Sequence, residues 1–206
     1  SFVTTSAPRS TQQSSQQSAN YRWYILTVAT LTFTFVMAIP AMSLPVLFDE
    51  ISKEMNLSLV QIGWIWGIGS LMGIAVGLVG GAISDRFGAR RMLAVSCLIV
   101  GIFGAMRGFA WDFNSLAIAM FLLGFAQSAI PMNVHKTCGV WFPQQLGMAN
   151  GIVSVGMAFG FMLGSLLAAT VISPLLGGWR NVFFVYGVVA LLFSLLWWTT
   201  QEKEQG

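Results

Sequence analysis

The residues of this 206-residue chain able to do chemistry are few. Asp85, Arg86, Arg90 and Arg91 stand together around Gly88. A carboxylate among guanidiniums can hold Arg86 or Arg90 in a charge-assisted ion pair, or face the positive end of a neighbouring helix, and Gly88 supplies the backbone freedom of a tight turn. His135 and Lys136 form a second group, with Gln127 and Asn133 nearby. If either faces a polar path, lysine's charge and donors favour an anionic ligand such as a carboxylate. Otherwise Lys136 snorkels to an aqueous surface and His135 is a satisfied interfacial histidine. Thr30 and Thr34, with Thr27 and Ser43, offer neutral hydroxyls, although helical hydroxyls mostly bond their own backbone. Trp64 and Trp66 offer aromatic faces. Ser154 with His135 makes a poor nucleophile pair, because Ile152 occupies the first glycine position of G-x-S-x-G and no third orienting acid is at hand. Cys97 and Cys138 form no C-x-x-C pair and read as apolar packing residues. No enzyme activity, metal site or cofactor is expected.

The elements that position these groups are set by the solvent. Hydrophobic residues make up 56% of the chain and charged residues 8%, against about 25% charge in a soluble domain; mean hydropathy is +0.75. Seven acids and ten bases cannot cover a water-facing surface of this length, so the partner must be a lipid bilayer. The net charge of +3 comes from scattered bases with no basic stripe along a helix, which argues against nucleic acid.

Residues 1–20, rich in Ser, Gln and Thr, read as a disordered tail. Six apolar runs follow, each long enough to cross about 30 Å of hydrocarbon: Trp23 to Phe48, Leu59 to Ile83, Met92 to Met106 with an apolar extension to Ala110, Phe113 to Val134, Leu146 to Ile172 and Val182 to Trp198. Residues 201–206 are polar and end the last crossing as a linker. Ser58 and Gln61 have the spacing of a capping box for helix 2. Gly69, Gly73, Gly77 and Gly81 recur on one face of helix 2; Gly147 and Gly151, then Gly156, Gly160 and Gly164, do so in helix 5. Helices 1 and 4 both carry proline, Pro40 and Pro45 in one and Pro131 in the other. Matched interruptions predict two inverted three-helix repeats around a central path. With the amino terminus inside, Arg9, Arg22, Arg86, Arg90, Arg91, Lys136 and Lys203 fall on the cytoplasmic side, and Lys53, Arg107 and Arg180 outside. A multi-pass protein of the plasma or inner membrane is therefore expected, with both ends of this segment cytoplasmic.

The stretch Gly81, Asp85, Arg86, Gly88, Arg90, Arg91 resembles the signature loop of the major facilitator superfamily, G-x-x-x-D-R/K-x-G-x-R/K-R/K, at every specified position and between helices 2 and 3 as there. Trp141, Phe142, Pro143 with Gly147 and Ala149 is similar to the loop between helices 4 and 5 of that family, and Gly178, Trp179, Arg180 to the start of its helix 6. The resemblance implies an all-α membrane protein whose residues 21–200 form an amino-terminal six-helix lobe. It also implies secondary transport of a small solute by alternating access with a second six-helix lobe, supplied by the same protein, a partner chain or a second copy. Asp85, Arg86 and Arg90 would latch the two lobes. A drug exporter of the same superfamily and a non-transporting scaffold or receptor are the alternatives. Proton-linked members often carry arginine four residues before a helix-4 glycine; here Met120 precedes Gly124 at that spacing, so the resemblance does not extend to that route of coupling.

Overall fold

The computed structural model describes residues 9–201. Among them, six helices are long and apolar enough to cross a membrane. Span 1 is continuous from Arg9–Thr32 through a wider π-helical turn, Phe33–Ala38, into Ile39–Met55. The tail expected over residues 1–20 is corrected for residues 9–20, which are helical, while residues 1–8 lie outside the described residues. No glycine or proline interrupts Arg9 to Thr32, so a helix nucleated in the apolar segment propagates outward.

Each break in the spans has a local cause. Pro40 has no N–H to return to the Val36 carbonyl, and one residue earlier Ile39 N–H bonds Thr34 O, five residues back, which widens the turn. Span 4 divides into Phe113–Gln127 and Ala129–Trp141 because Pro131 leaves the Gln127 carbonyl without its helical donor. Span 5 runs Leu146–Leu167, then a π-helical turn Ala168–Ile172 and Ser173–Leu176 around Pro174. Spans 2, 3 and 6 are Leu59–Phe87, Ala89–Met106 with a 3-10 turn Arg107–Phe109, and Trp179–Thr199. Span 4 is a helix to Trp141, beyond the expected end, so His135 and Lys136 project from helix and not from a loop.

The ends of the spans are closed by caps legible in the sequence. Ser58 accepts from Gln61 N–H at 3.2 Å and Gln61 Oε1 accepts from Ser58 N–H at 2.9 Å, completing the capping box. Asp112 closes span 4 the same way, accepting from Ser115 N–H at 2.9 Å. Hydrogen bonds from the Ser115 side chain and backbone hold the Asp112 carboxyl below the ordinary aspartate range. That contribution is present above the unfolded-state value and is lost as pH falls through the lowered one. Gly88 adopts φ 83°, a conformation costly to a side chain, between spans 2 and 3.

Glycine decides how closely the spans approach. A Cβ at Gly160 would lie 2.7 Å from Ala38 Cβ, and one at Gly164 2.5 Å from Ile39 O, so the span 5 ladder seats against span 1. Gly124 of span 4 meets the Gly69 backbone of span 2, and a Cβ at Gly101 of span 3 would lie 3.0 Å from Gly187 O of span 6. The ladder in span 2 holds only at its upper half. A Cβ at Gly73 would lie 3.7 Å from Ser128 Cβ, but one at Gly77 or Gly81 would have nothing within 4 Å, so the packing expected at Gly77 is not made among the described residues: span 4 meets the neighbouring face of span 2 and leaves this one open. Gly147 and Gly151 are likewise open.

Side-chain hydrogen bonds reinforce the bundle. Trp197 Nε1 donates to Thr32 Oγ1 at 2.9 Å, and Ser194 Oγ to Ala94 O at 2.7 Å. At the opposite end Glu54 accepts from Trp179 Nε1 at 2.6 Å and pairs with Arg180 at 2.9 Å, while Arg180 also donates to Gly108 O at 3.0 Å and to Ala110 O. The Gly178, Trp179, Arg180 sequence thus ties the ends of spans 1, 3 and 6 together.

Gly160→Leu forces spans 1 and 5 apart and is expected to cost about 1–3 kcal/mol. Gly77→Ala, with open space around it, is expected to stay within about 0.5 kcal/mol of the parent. Thermal unfolding in detergent distinguishes them; equal losses would mean that the seam is not where glycine matters.

Candidate functional site

A cavity of about 360 Å³ opens between spans 1, 2 and 4. The two proline breaks border it: Met37, Pro40, Ala41 and Leu44 come from span 1, and Met120, Leu123, Gly124, Gln127 and Ser128 from span 4. Span 2 supplies Trp66, Gly69, Ser70 and Gly73. Pro40 and Pro131 therefore do more than bend helices: Pro40 lacks a backbone donor beside the space where a solute could sit, and Pro131 leaves the carbonyl of the lining residue Gln127 without its helical donor. Trp66 is steadied by an edge-to-face contact with Phe48, centroids 6.1 Å apart. The lining is mostly apolar, with a few polar groups in it, the usual character of small-molecule pockets.

Arg107 also lines this cavity, and the sequence reading missed it by counting it among the outer loop bases. It is 3% exposed. Its Nε donates to Gly104 O at 3.3 Å, and its guanidinium lies 4.2 Å from the Phe183 ring centre.

Of the residues proposed from sequence as substrate contacts, Gln127 lines the cavity and the others serve elsewhere. Thr30 and Thr34 hydroxyls return to their own helix, donating to Leu26 O at 2.8 Å and Thr30 O at 2.9 Å, and face Gly156 across the seam with span 5. Ser43 shares a hydrogen bond of 2.7 Å with Tyr186. Asn133 is fully buried, accepting from Ser84 Oγ at 2.5 Å and donating to Ala129 O at 2.7 Å. His135 Nδ1 pairs with Asn150 Oδ1 at 2.9 Å and stands edge-on to Phe33, bracing spans 1, 4 and 5; no bond joins it to Ser154 among the described residues.

Lys136 pairs with Asp85, Nζ to Oδ1 at 2.6 Å, with Ser84 Oγ at 3.4 Å. The expected partners of Asp85, Arg86 and Arg90, are thus corrected: the carboxylate reaches across to span 4. The reason is geometric. Span 2 continues helically to Phe87, so Ser84 and Asp85 leave on the side of span 4, while Gly88 turns the following arginines away. Arg90 instead donates from Nη2 to Trp198 O at 3.3 Å, a cation at the negative end of span 6. The loop, Lys136, Thr137, Trp197 and Gln201 surround a polar pocket of about 600 Å³.

The chain is similar over nearly its whole length to known membrane transporters. The family model of the Major Facilitator Superfamily matches residues 24–206. A probable nitrate/nitrite antiporter, NarK1, of Thermus thermophilus is 31% identical over 195 residues, 89% of this chain and 44% of that protein. A probable galactarate/D-glucarate transporter, GarP, of Escherichia coli K12 is 28% identical, covering 84% of this chain and 40% of its own length. A 3-(3-hydroxy-phenyl)propionate transporter of the same organism is 33% identical over 143 residues, 69% of this chain and 35% of that protein. In structure, the chain superposes with a TM-score of 0.73 on a bacterial homologue of the human lysosomal transporter Spinster, inward-facing and unoccupied, at 22% identity over 90% of this chain and 44% of that one. The chain belongs to the Major Facilitator Superfamily and is an all-α, multi-pass membrane protein rather than an enzyme. It spans less than half the length of the curated relatives it matches.

A double-mutant cycle on Asp85→Asn and Lys136→Met is expected to give a coupling of about 0.2–1 kcal/mol, because the carboxylate is largely exposed and screened. Additive unfolding energies would mean that the pair is not formed in the membrane.

Proposed function

We propose that this chain is the amino-terminal lobe of a secondary active transporter that moves a small organic or inorganic anion by alternating access with a second six-helix lobe. The cavity between the proline-broken spans 1 and 4 carries the reading. Helices interrupted beside a central space can gather a solute there and rock as half-helices when the second lobe moves.

Two features support it. The faces left uncovered are those of spans 2 and 5: 6% and 17% of their apolar windows are buried, against 61% in span 1. A second lobe seated on them covers this surface and closes the cavity, whether it comes from the same protein, a partner chain or a second copy. The relatives named above for nitrate/nitrite, for galactarate/D-glucarate and for a hydroxyphenylpropionate all carry anions in their names. Gln127, Ser70 and Ser128 offer the solute neutral hydrogen bonds. Asp85, Arg86 and Arg90 serve the latch between lobes, with Lys136 positioning Asp85.

In orientation, Arg22, Arg86, Arg90, Arg91 and Lys136 stand at the Gly88 end, and Lys53 and Arg180 at the other. The Gly88 end is therefore cytoplasmic, and both ends of this segment face the cytoplasm of a plasma or inner membrane.

The test is uptake into proteoliposomes holding the complete protein that contains this chain, with nitrate, D-glucarate and 3-(3-hydroxyphenyl)propionate as probes. Saturable uptake of at least one anion is expected. Transport of tetraphenylphosphonium with none of the anions would favour the drug-exporter alternative, and transport of no probe would favour a scaffold.

A further inference from the structure

We propose that Arg107 is the anion-binding residue of the cavity, an inference that rests on the transport reading above and adds to it the charge the substrate meets. Arginine presents five N–H donors in a planar fork. In this chain one of them, on Nε, is taken by Gly104 O at 3.3 Å. Phe183 covers a face of the guanidinium at 4.2 Å, which steadies the cation but accepts none of the in-plane hydrogens. Among the described residues neither terminal nitrogen has a hydrogen bond or a carboxylate. The nearby Tyr186 phenol is engaged with Ser43 at 2.7 Å and brings no negative charge.

A cation 3% exposed and, among the described residues, without a counter-ion is expensive wherever water is excluded and persists where function retains it. Room has been left for it. Gly104, one turn before it, lies in ordinary contact range of Nη2, where a Cβ would sit 3.7 Å away, and Gly108, the next residue, brings span 3 against Phe184 of span 6, where a Cβ would clash at 2.7 Å. The two terminal nitrogens are thus the charged donors of a mostly apolar cavity whose other polar side chains are the neutral Ser70, Gln127 and Ser128. A planar anion, nitrate or a carboxylate, fits such a fork by two parallel hydrogen bonds, and the apolar walls strengthen them by excluding water. Lys136, a base that the sequence offered as a candidate for this task, is paired with Asp85.

The experiment compares Arg107→Lys and Arg107→Gln with the parent, in proteoliposomes of the complete protein, with nitrate and D-glucarate as probes. Insertion and monodispersity are checked by size-exclusion chromatography. Arg107→Lys keeps the charge and loses the fork, so KM is expected to rise about tenfold with kcat within about twofold; Arg107→Gln is expected to raise KM about a hundredfold or abolish uptake. If the Gln variant fails to insert, the Lys variant decides alone. Unchanged KM in Arg107→Lys, as expected if the guanidinium only packs on Phe183 or meets an acid of the second lobe, overturns the assignment and leaves the transport reading standing. A parent that takes up neither of these anions nor 3-(3-hydroxyphenyl)propionate overturns both.

Discussion

Hydrocarbon offers a backbone N–H or C=O no partner outside the protein, and the rest of this structure follows from that constraint. It makes every crossing a helix and limits departures to places where something else occupies the gap. The departures are at Pro40, Pro131 and Pro174. Pro40 lines the cavity, as does Gln127, whose carbonyl lacks a helical donor because of Pro131, so the backbone is least regular where a solute could use what is freed. The same constraint turns side-chain hydroxyls inward: Thr27, Thr30, Thr32, Thr34 and Ser43 each donate to the carbonyl four residues back.

With no hydrophobic drive between helices in lipid, close approach must come from small residues. Gly160 against Ala38, Gly124 against Gly69 and Gly101 against Gly187 set the three crossings on which the cavity wall stands. Where glycines line open space, as at Gly77 and Gly151, the bundle presents a surface that no span covers among the described residues. Packing and incompleteness are therefore read from the same residue type, and only the neighbours tell them apart.

The crossings, the Ser58–Gln61 cap and the Gly88 turn were legible because each is decided within a few residues by hydropathy, spacing or backbone freedom. What escaped was decided between distant segments. Asp85 and Lys136 lie 51 residues apart, although both stood at the same end of the predicted bundle with opposite charge, and that complementarity could have paired them. Arg107 sits where an apolar run ends, so it read as a loop base; Phe183 and Phe184, which cover it and Gly108, belong to another span. A clue was present in its surroundings, since Gly108, Phe109, Ala110 and Trp111 separate it from the first polar cap, Asp112. Residues 9–20 were read as tail from composition, which does not register that a helix already anchored downstream extends at little cost.

Two ends of different character result. At one, Glu54, Arg180 and Trp179 fasten spans 1, 3 and 6; at the other, arginines crowd a glycine turn beside the Asp85–Lys136 pair. Their placement on opposite faces of the bilayer is the central claim, and side-specific thiol labelling tests it most directly. In a background with Cys97 and Cys138 replaced by alanine, cysteines at Lys53 and at Arg86 are probed in intact cells with an impermeant maleimide. The account predicts labelling of position 53 from outside and of position 86 only after permeabilisation; labelling of both from the same side would contradict it.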